Sequence, residues 1–226
     1  MFKSSLAVVV AACAPSFAQM TEIVRFRDGL GGYNGTIDTL IWEAEPDTTF
    51  GSEIDLEADA SDSGLQSQIL LQFTGVLAAL DGVASADVQS ASLRVYTNSE
   101  SDDGEVRALR LLQAWGNDST WNNSFGGNGV DADGIDAVAT PSFTFMPIED
   151  DQFYSFDVTS DVRAWVDGAD NFGWAFVNDG EDGWDIDSSE FLPGFFRPQL
   201  TIEFVPTPSS VALFGLAAAA ATRRRR

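Results

Sequence analysis

The feature that most constrains this chain is a two-residue beat in its hydrophobic pattern. Ile69, Leu71 and Phe73 alternate with Gln68, Leu70, Gln72 and Thr74, and Leu93 and Val95 alternate with Ser92, Arg94 and Tyr96. Tyr154, Phe156 and Val158 alternate with Phe153, Ser155 and Asp157, and Leu200, Ile202 and Phe204 with Gln199, Thr201 and Glu203. Successive side chains of an extended strand point to opposite faces, so each stretch predicts a strand with one face on a core and the other in solvent. Residues 172–177 are apolar on both faces, as a central strand requires. Asp28-Gly29, Asn34-Gly35, Asp81-Gly82 and Asp167-Gly168 supply turns between such runs. One segment has helical spacing instead: Val162, Trp165 and Val166 follow Thr159 or Ser160 as N-cap and precede Gly168 as a stop. It predicts about two turns of helix across one end of the molecule. Many short strands with hardly any helix predict an all-β fold, a β-sandwich of jelly-roll type.

Missing residue types exclude several chemistries. The 226 residues contain no histidine, and the single cysteine, Cys13, lies in the N-terminal apolar stretch. A domain over residues 19–204 therefore has no thiol nucleophile, no Ser-His-Asp triad and no Cys₂His₂ zinc site. All 35 acidic residues lie between Glu22 and Glu203, against seven arginines there (Arg25, Arg27, Arg94, Arg107, Arg110, Arg163 and Arg197), which leaves a net charge of about −28. Such a surface repels phosphate backbones and excludes a nucleic-acid partner. It also calls for salt or bound cations to screen its self-repulsion.

Both ends read as processing signals. In residues 1–18, Lys3 gives a positive start, Leu6 to Ala14 an apolar run, and Ser16-Phe17-Ala18 a small-x-small cleavage site, the pattern of a secretory signal peptide. Val10-Ala11-Ala12-Cys13 resembles a lipoprotein box, which would instead lipidate Cys13; export follows either way. In residues 205–226, Val205-Pro206-Thr207-Pro208 precedes an apolar run, Val211 to Ala221, and then Arg223 to Arg226. This tail resembles the PEP-CTERM sorting signal of exopolysaccharide-producing Gram-negative bacteria, with Thr207 where that signal usually has glutamate. The resemblance implies an exosortase-type membrane protease as partner, transient membrane contact through the C-terminal helix, and an extracellular or cell-surface destination. The arginines would hold the tail on the cytoplasmic side.

The order of segments in between resembles the DNRLRE domain family, whose members overlap a family of carbohydrate-binding modules. Asp38-Thr39-Leu40-Ile41 and Pro46-Asp47-Thr48-Thr49-Phe50-Gly51-Ser52 match its opening strand and turn. Leu70-Leu71-Gln72-Phe73, Ser90-Ala91-Ser92-Leu93-Arg94-Val95-Tyr96 and Ser119-Thr120-Trp121-Asn122-Asn123 follow in the family's order. Phe156-Asp157-Val158-Thr159-Ser160, Ala164-Trp165-Val166-Asp167-Gly168 and Arg197-Pro198-Gln199-Leu200 complete it. The resemblance, over Asp38 to Phe204, implies a non-catalytic jelly roll used for polysaccharide contact or as a surface scaffold. Two departures weaken any pocket for acidic sugars: Gln72 replaces an arginine, and a usually basic segment reads Asp187-Ser188-Ser189-Glu190.

Candidate ligand platforms are the aromatics outside the recurrent motifs, because aromatic faces stack on sugar rings. These are Trp42, Trp184 (between Gly183 and Asp185, read as a polar loop), Phe195 and Phe196. Trp115, Trp121, Trp165 and Trp174 are expected in the core. Two acidic loops are candidate calcium sites, one with Asp131, Asp133 and Asp136, the other including Asp185 and Asp187 with Asp179, Glu181 and Asp182. The first is no EF-hand, since its twelfth position is Ser142. The alternative to a binding module is a glycoside hydrolase or polysaccharide lyase working through paired carboxylates.

Overall fold

The computed structural model describes residues 20–60, 65–99, 104–180 and 182–206. Residues 1–18, expected to form a signal peptide and containing Cys13, lie outside the described residues, as do Glu181, Thr207, Pro208 and the apolar tail with its arginines. The chain forms β1 (Glu22–Phe26), β2 (Thr36–Trp42), β3 (Asp55–Ala58), β4 (Ser67–Phe73), a single turn α1 (Val76–Ala79), β5 (Val88–Ser99) and β6 (Val106–Arg110). It continues with β7 (Phe143–Phe145), β8 (Gln152–Asp157), α2 (Thr159–Val166), β9 (Trp174–Asn178), β10 (Trp184–Asp187) and β11 (Gln199–Phe204). All pairings are antiparallel, in two sheets. The result is the expected all-β sandwich.

The long β5 is the spine of the first sheet. β8 runs along one edge of it, while the other edge takes β11 over residues 88–94 and then β10 at Thr97 and Ser99. β1 lies beyond β11, and β3 beyond β10. The second sheet has the order β2-β4-β9-β6-β7. The inner faces meet in one core, where Leu93, Val95, Trp184, Ile186, Leu200 and Ile202 pack against Ile69, Leu71, Phe73, Trp174 and Phe176. β9 is central and buried along its whole length, as its two-faced apolar sequence predicts.

The helix α2 spans the predicted segment and buries Val162 and Trp165. Its start is capped differently from the expectation. The N-cap is Val158, which makes no side-chain capping bond, while the Asp157 carboxylate accepts from the Thr159 N–H at 2.9 Å and from its hydroxyl at 2.5 Å. Inside, Asp161 accepts from the Trp174 indole at 2.8 Å and pairs with Arg110 at 3.3 Å.

The sequence also predicts an outer, solvated face on β4, and here the fold departs from it. Leu70 and Gln68 are buried on that side, under the segment between β6 and β7. Trp121, Phe125 and Val130 from that segment join Ile41, Leu70, Leu109, Ala175 and Val177 in a second core. Gln68 is satisfied there, since its Oε1 accepts from the Val130 N–H at 2.7 Å. The sandwich is thus three layers deep on this side, which is why Leu70 and Gln68 of β4 are buried on the face opposite the main core.

Candidate functional site

Two surfaces of the first sheet carry chemistry. Because Phe26, Leu93 and Val95 face the core, alternation turns Arg25, Arg27, Arg94 and Tyr96 outward. Gln199 pairs with Arg94, and Leu200 links Phe26 of β1 to Leu93 of β5. Arg27 and Arg94 therefore fall in one row across the sheet. Phe153, opposite Tyr96 on β8, sits under the Arg94 guanidinium at 4.3 Å. Phe196 packs on Tyr96 at 4.3 Å and on Phe195 at 4.1 Å. Phe195 is 51% exposed and Phe153 38%. Burial, and then the neighbouring Arg27, push the pKa of Arg94 down from its usual value. Among the described residues neither guanidinium pairs with a carboxylate, and the Nε of each is buried without a partner.

The second surface is a cleft of about 400 Å³ at the β3 edge of the sandwich. Trp42 and Phe50 form its aromatic wall, in edge-on contact at 6.2 Å, and Leu40, Glu53, Asp55, Glu57 and Asp185 line the rest of it. The acids are brought together by register, which sets Asp185 opposite Glu57 and Asp187 opposite Asp55. Burial, then Glu57 and the neighbouring aspartates, raise Asp185 to about 7. Burial raises Asp187 to about 6 against the bond from Asn98, and burial followed by Asp59 raises Glu57. Asn98 Nδ2 donates to Asp55 at 2.7 Å and to Asp187 at 2.9 Å.

The sequence-derived candidates divide between these places. Trp42 and Asp185 share the cleft, and Phe195 and Phe196 share the arginine-bearing face. Trp184 is not a surface platform. It is 0% exposed on β10, faces the core beside Phe145 and Phe176, and donates its indole N–H to Thr97 Oγ1 at 2.8 Å. Its polar neighbours are the outward half of a strand alternation, not a loop. Trp121, Trp165 and Trp174 are buried, and Trp115 is half-buried with its N–H on the Phe172 carbonyl at 2.7 Å.

In the 131–136 loop, Asp133 accepts from the N–H groups of Ile135 and Asp136, which holds its pKa down. Asp136 accepts from Gln113 at 2.6 Å, and Asp131 accepts from Asn128 at 3.0 Å. Among the described residues no group of three or more acidic side chains is arranged to hold a metal ion.

The acidic segment Asp187 to Glu190 has a structural role. Ser189 donates through its N–H at 2.8 Å and its hydroxyl at 3.0 Å to the buried Asp38 of β2. Burial, and then Glu190, raise Asp38 to about 8. Sequence reasoning did not select Arg27, Arg94, Tyr96 or Phe153 as site residues. Their strand alternation showed which way they face, but the row across β1, β11 and β5 is a product of pairing.

No curated protein matches the chain. The profile of carbohydrate-binding module family 96 matches residues 32–204, which takes in every strand except β1 and both surfaces apart from Arg25 and Arg27. On that match, over well more than half its length, the chain belongs to carbohydrate-binding module family 96.

Proposed function

We propose that this is an exported, non-catalytic protein that binds an anionic polysaccharide on the outer face of the β5 sheet. The observation that carries this reading is the pair Arg27 and Arg94. In a domain with five acids for every arginine, two guanidiniums in one row across the sheet have no carboxylate partner among the described residues, and exposed aromatic rings flank Arg94. Guanidinium forks match sugar carboxylates, and the half-exposed ring of Phe195, backed by Phe196, offers a face to pyranoses. Stacking on Phe153 holds Arg94 in place before a ligand arrives, which reduces the ordering cost of binding. The Gln72 and Asp187–Glu190 departures are compatible with this, since neither lies among the residues named here. Residues 1–18 would direct export, and the tail from Val205 would be cut by an exosortase-type protease.

Isothermal titration of the purified protein with polyuronate oligomers and with neutral glucan oligomers tests the site. We expect polyuronate to be preferred, and Arg94→Ala to weaken it by about 10- to 100-fold, as loss of a charge-assisted bond implies. Equal affinity for neutral glucans, or an Arg94→Ala protein that binds as well as the parent, would overturn the assignment.

A further inference from the structure

The acidic cleft is left over by a site for anions. Like charges directly opposed across two strands destabilise a sheet, yet the β3–β10 pair carries two such oppositions in adjacent outward positions. No basic side chain lines the cleft, and Asp59 and Asp182 add to its field. One carboxylate oxygen of the cleft lining, Oδ1 of Asp185, is buried without a hydrogen-bond donor. Buried acceptors left unpaired are costly, so a ligand that brings donors and positive charge would relieve the strand pair. The opposite wall is Trp42 and Phe50, which favours a ligand that also has a flat, C–H-bearing face. At about 400 Å³ the space is in the range of small-ligand sites.

We propose that the cleft is a second saccharide site, and that it takes protonated amino sugars such as those of a partly de-N-acetylated hexosamine polymer. The ring lies against Trp42, and the ammonium sits between Glu57 and Asp185, which face each other across the strand pair. An acetamido sugar lacks the charge and a uronate is repelled, so the two surfaces of the sheet select opposite ligands.

The test is titration of the full chain with glucosamine oligomers, N-acetylglucosamine oligomers, oligolysine and Ca²⁺ at 0.15 M salt, roughly the ionic strength at which distant charges are screened. The glucosamine oligomer should bind, and its N-acetylated counterpart should bind at least about tenfold more weakly, as loss of a charge-assisted contact implies. Asp185→Asn and Trp42→Ala should each weaken glucosamine binding by about tenfold or more. Trp42→Phe should retain part of it, and Arg94→Ala should leave it unchanged while reducing polyuronate binding. The melting temperature of Asp185→Asn should not fall, which separates lost contact from lost fold. Absence of glucosamine binding, equal binding of the N-acetylated oligomer, or binding indifferent to Asp185→Asn would each overturn the proposal. Oligolysine binding as tightly would make the cleft a site for basic peptides, and saturation by Ca²⁺ alone would make it a cation site; either result overturns the amino-sugar assignment.

Discussion

A tryptophan between a glycine and an aspartate can be read as a loop tip or as the inward step of a strand. Trp184 is the second, because Trp184 and Ile186 face the core while Asp185 and Asp187 face out. Its indole fills space between Phe145, Phe176 and the spine strand, and its one polar atom is met by Thr97. Removing it leaves both a cavity and an unpaired hydroxyl. Trp184→Ala should therefore cost about 3–5 kcal/mol of stability, the range for large aromatic deletions in cores. Chemical denaturation would show this as a lower midpoint, and protein that still folds should bind saccharides as the parent does. A stable Trp184→Ala protein with lost binding would restore the surface reading. Asp161 is the polar counterpart: with Trp174 and Arg110 as partners it ties α2 to the second sheet, so its burial carries its own compensation.

At the scale of elements, the paired carboxylates of β3 and β10 make an unusual prediction about pH. Asp185, Asp187, Glu57 and Asp38 all hold protons more tightly in the native chain than ordinary carboxyls do, because burial and like-charged neighbours disfavour the ionised form. As pH rises above about 4, the unfolded chain releases these protons first, so it binds fewer protons than the native chain and stability falls. The decline runs up to the raised values of about 6 to 8. Asp133 and Asp157 are shifted the other way and protect the fold only above the ordinary carboxylate range, so losses also begin at low pH. Melting should be highest in mild acid and lower at pH 8, and Asp185→Asn should raise the pH 8 value toward the acid one. A melting temperature that climbs steadily from pH 5 to pH 8 would refute this.

The same elements show what could be read in advance. The strand faces of β5, β8 and β11, the central β9 and the helix α2 were legible because each is specified by local periodicity. Burial of Trp121 was expected, but the second core it belongs to was not legible, because Phe125 and Val130 come from an irregular segment with no repeat to mark it. Asn122 of that segment is tied back to the opening turn, its N–H on the Pro46 carbonyl at 2.9 Å and its amide on Asp47. Two motifs far apart in the chain are thus one contact. The arginine row and the carboxylate pairs were hidden for a similar reason, as each is set by register between strands distant in sequence.

At the scale of the whole molecule, the charge of about −28 on residues 19–204, against −23 for the full chain, belongs together with the arginine-ended segment that follows. With so many like charges the domain repels its neighbours and anionic surfaces, so any attachment falls to defined sites or, if the chain is sorted as proposed, to its tail. The described fold closes at the expected motif. Phe204 ends β11 against Val88, and among the described residues the Val205 N–H is the last backbone donor held, by the Asp87 carbonyl at 2.9 Å. A protease acting just beyond Pro206 would then remove the apolar run and the four arginines without touching a strand. It would also remove positive charge only, which leaves the released form more acidic than its precursor. Mass spectrometry of protein recovered outside the producing cells should therefore find a C-terminus near Pro206, and melting of that form should match a version truncated there. Recovery of protein that still ends in Arg226 would remove the sorting role from the tail and leave it as an uncut extension.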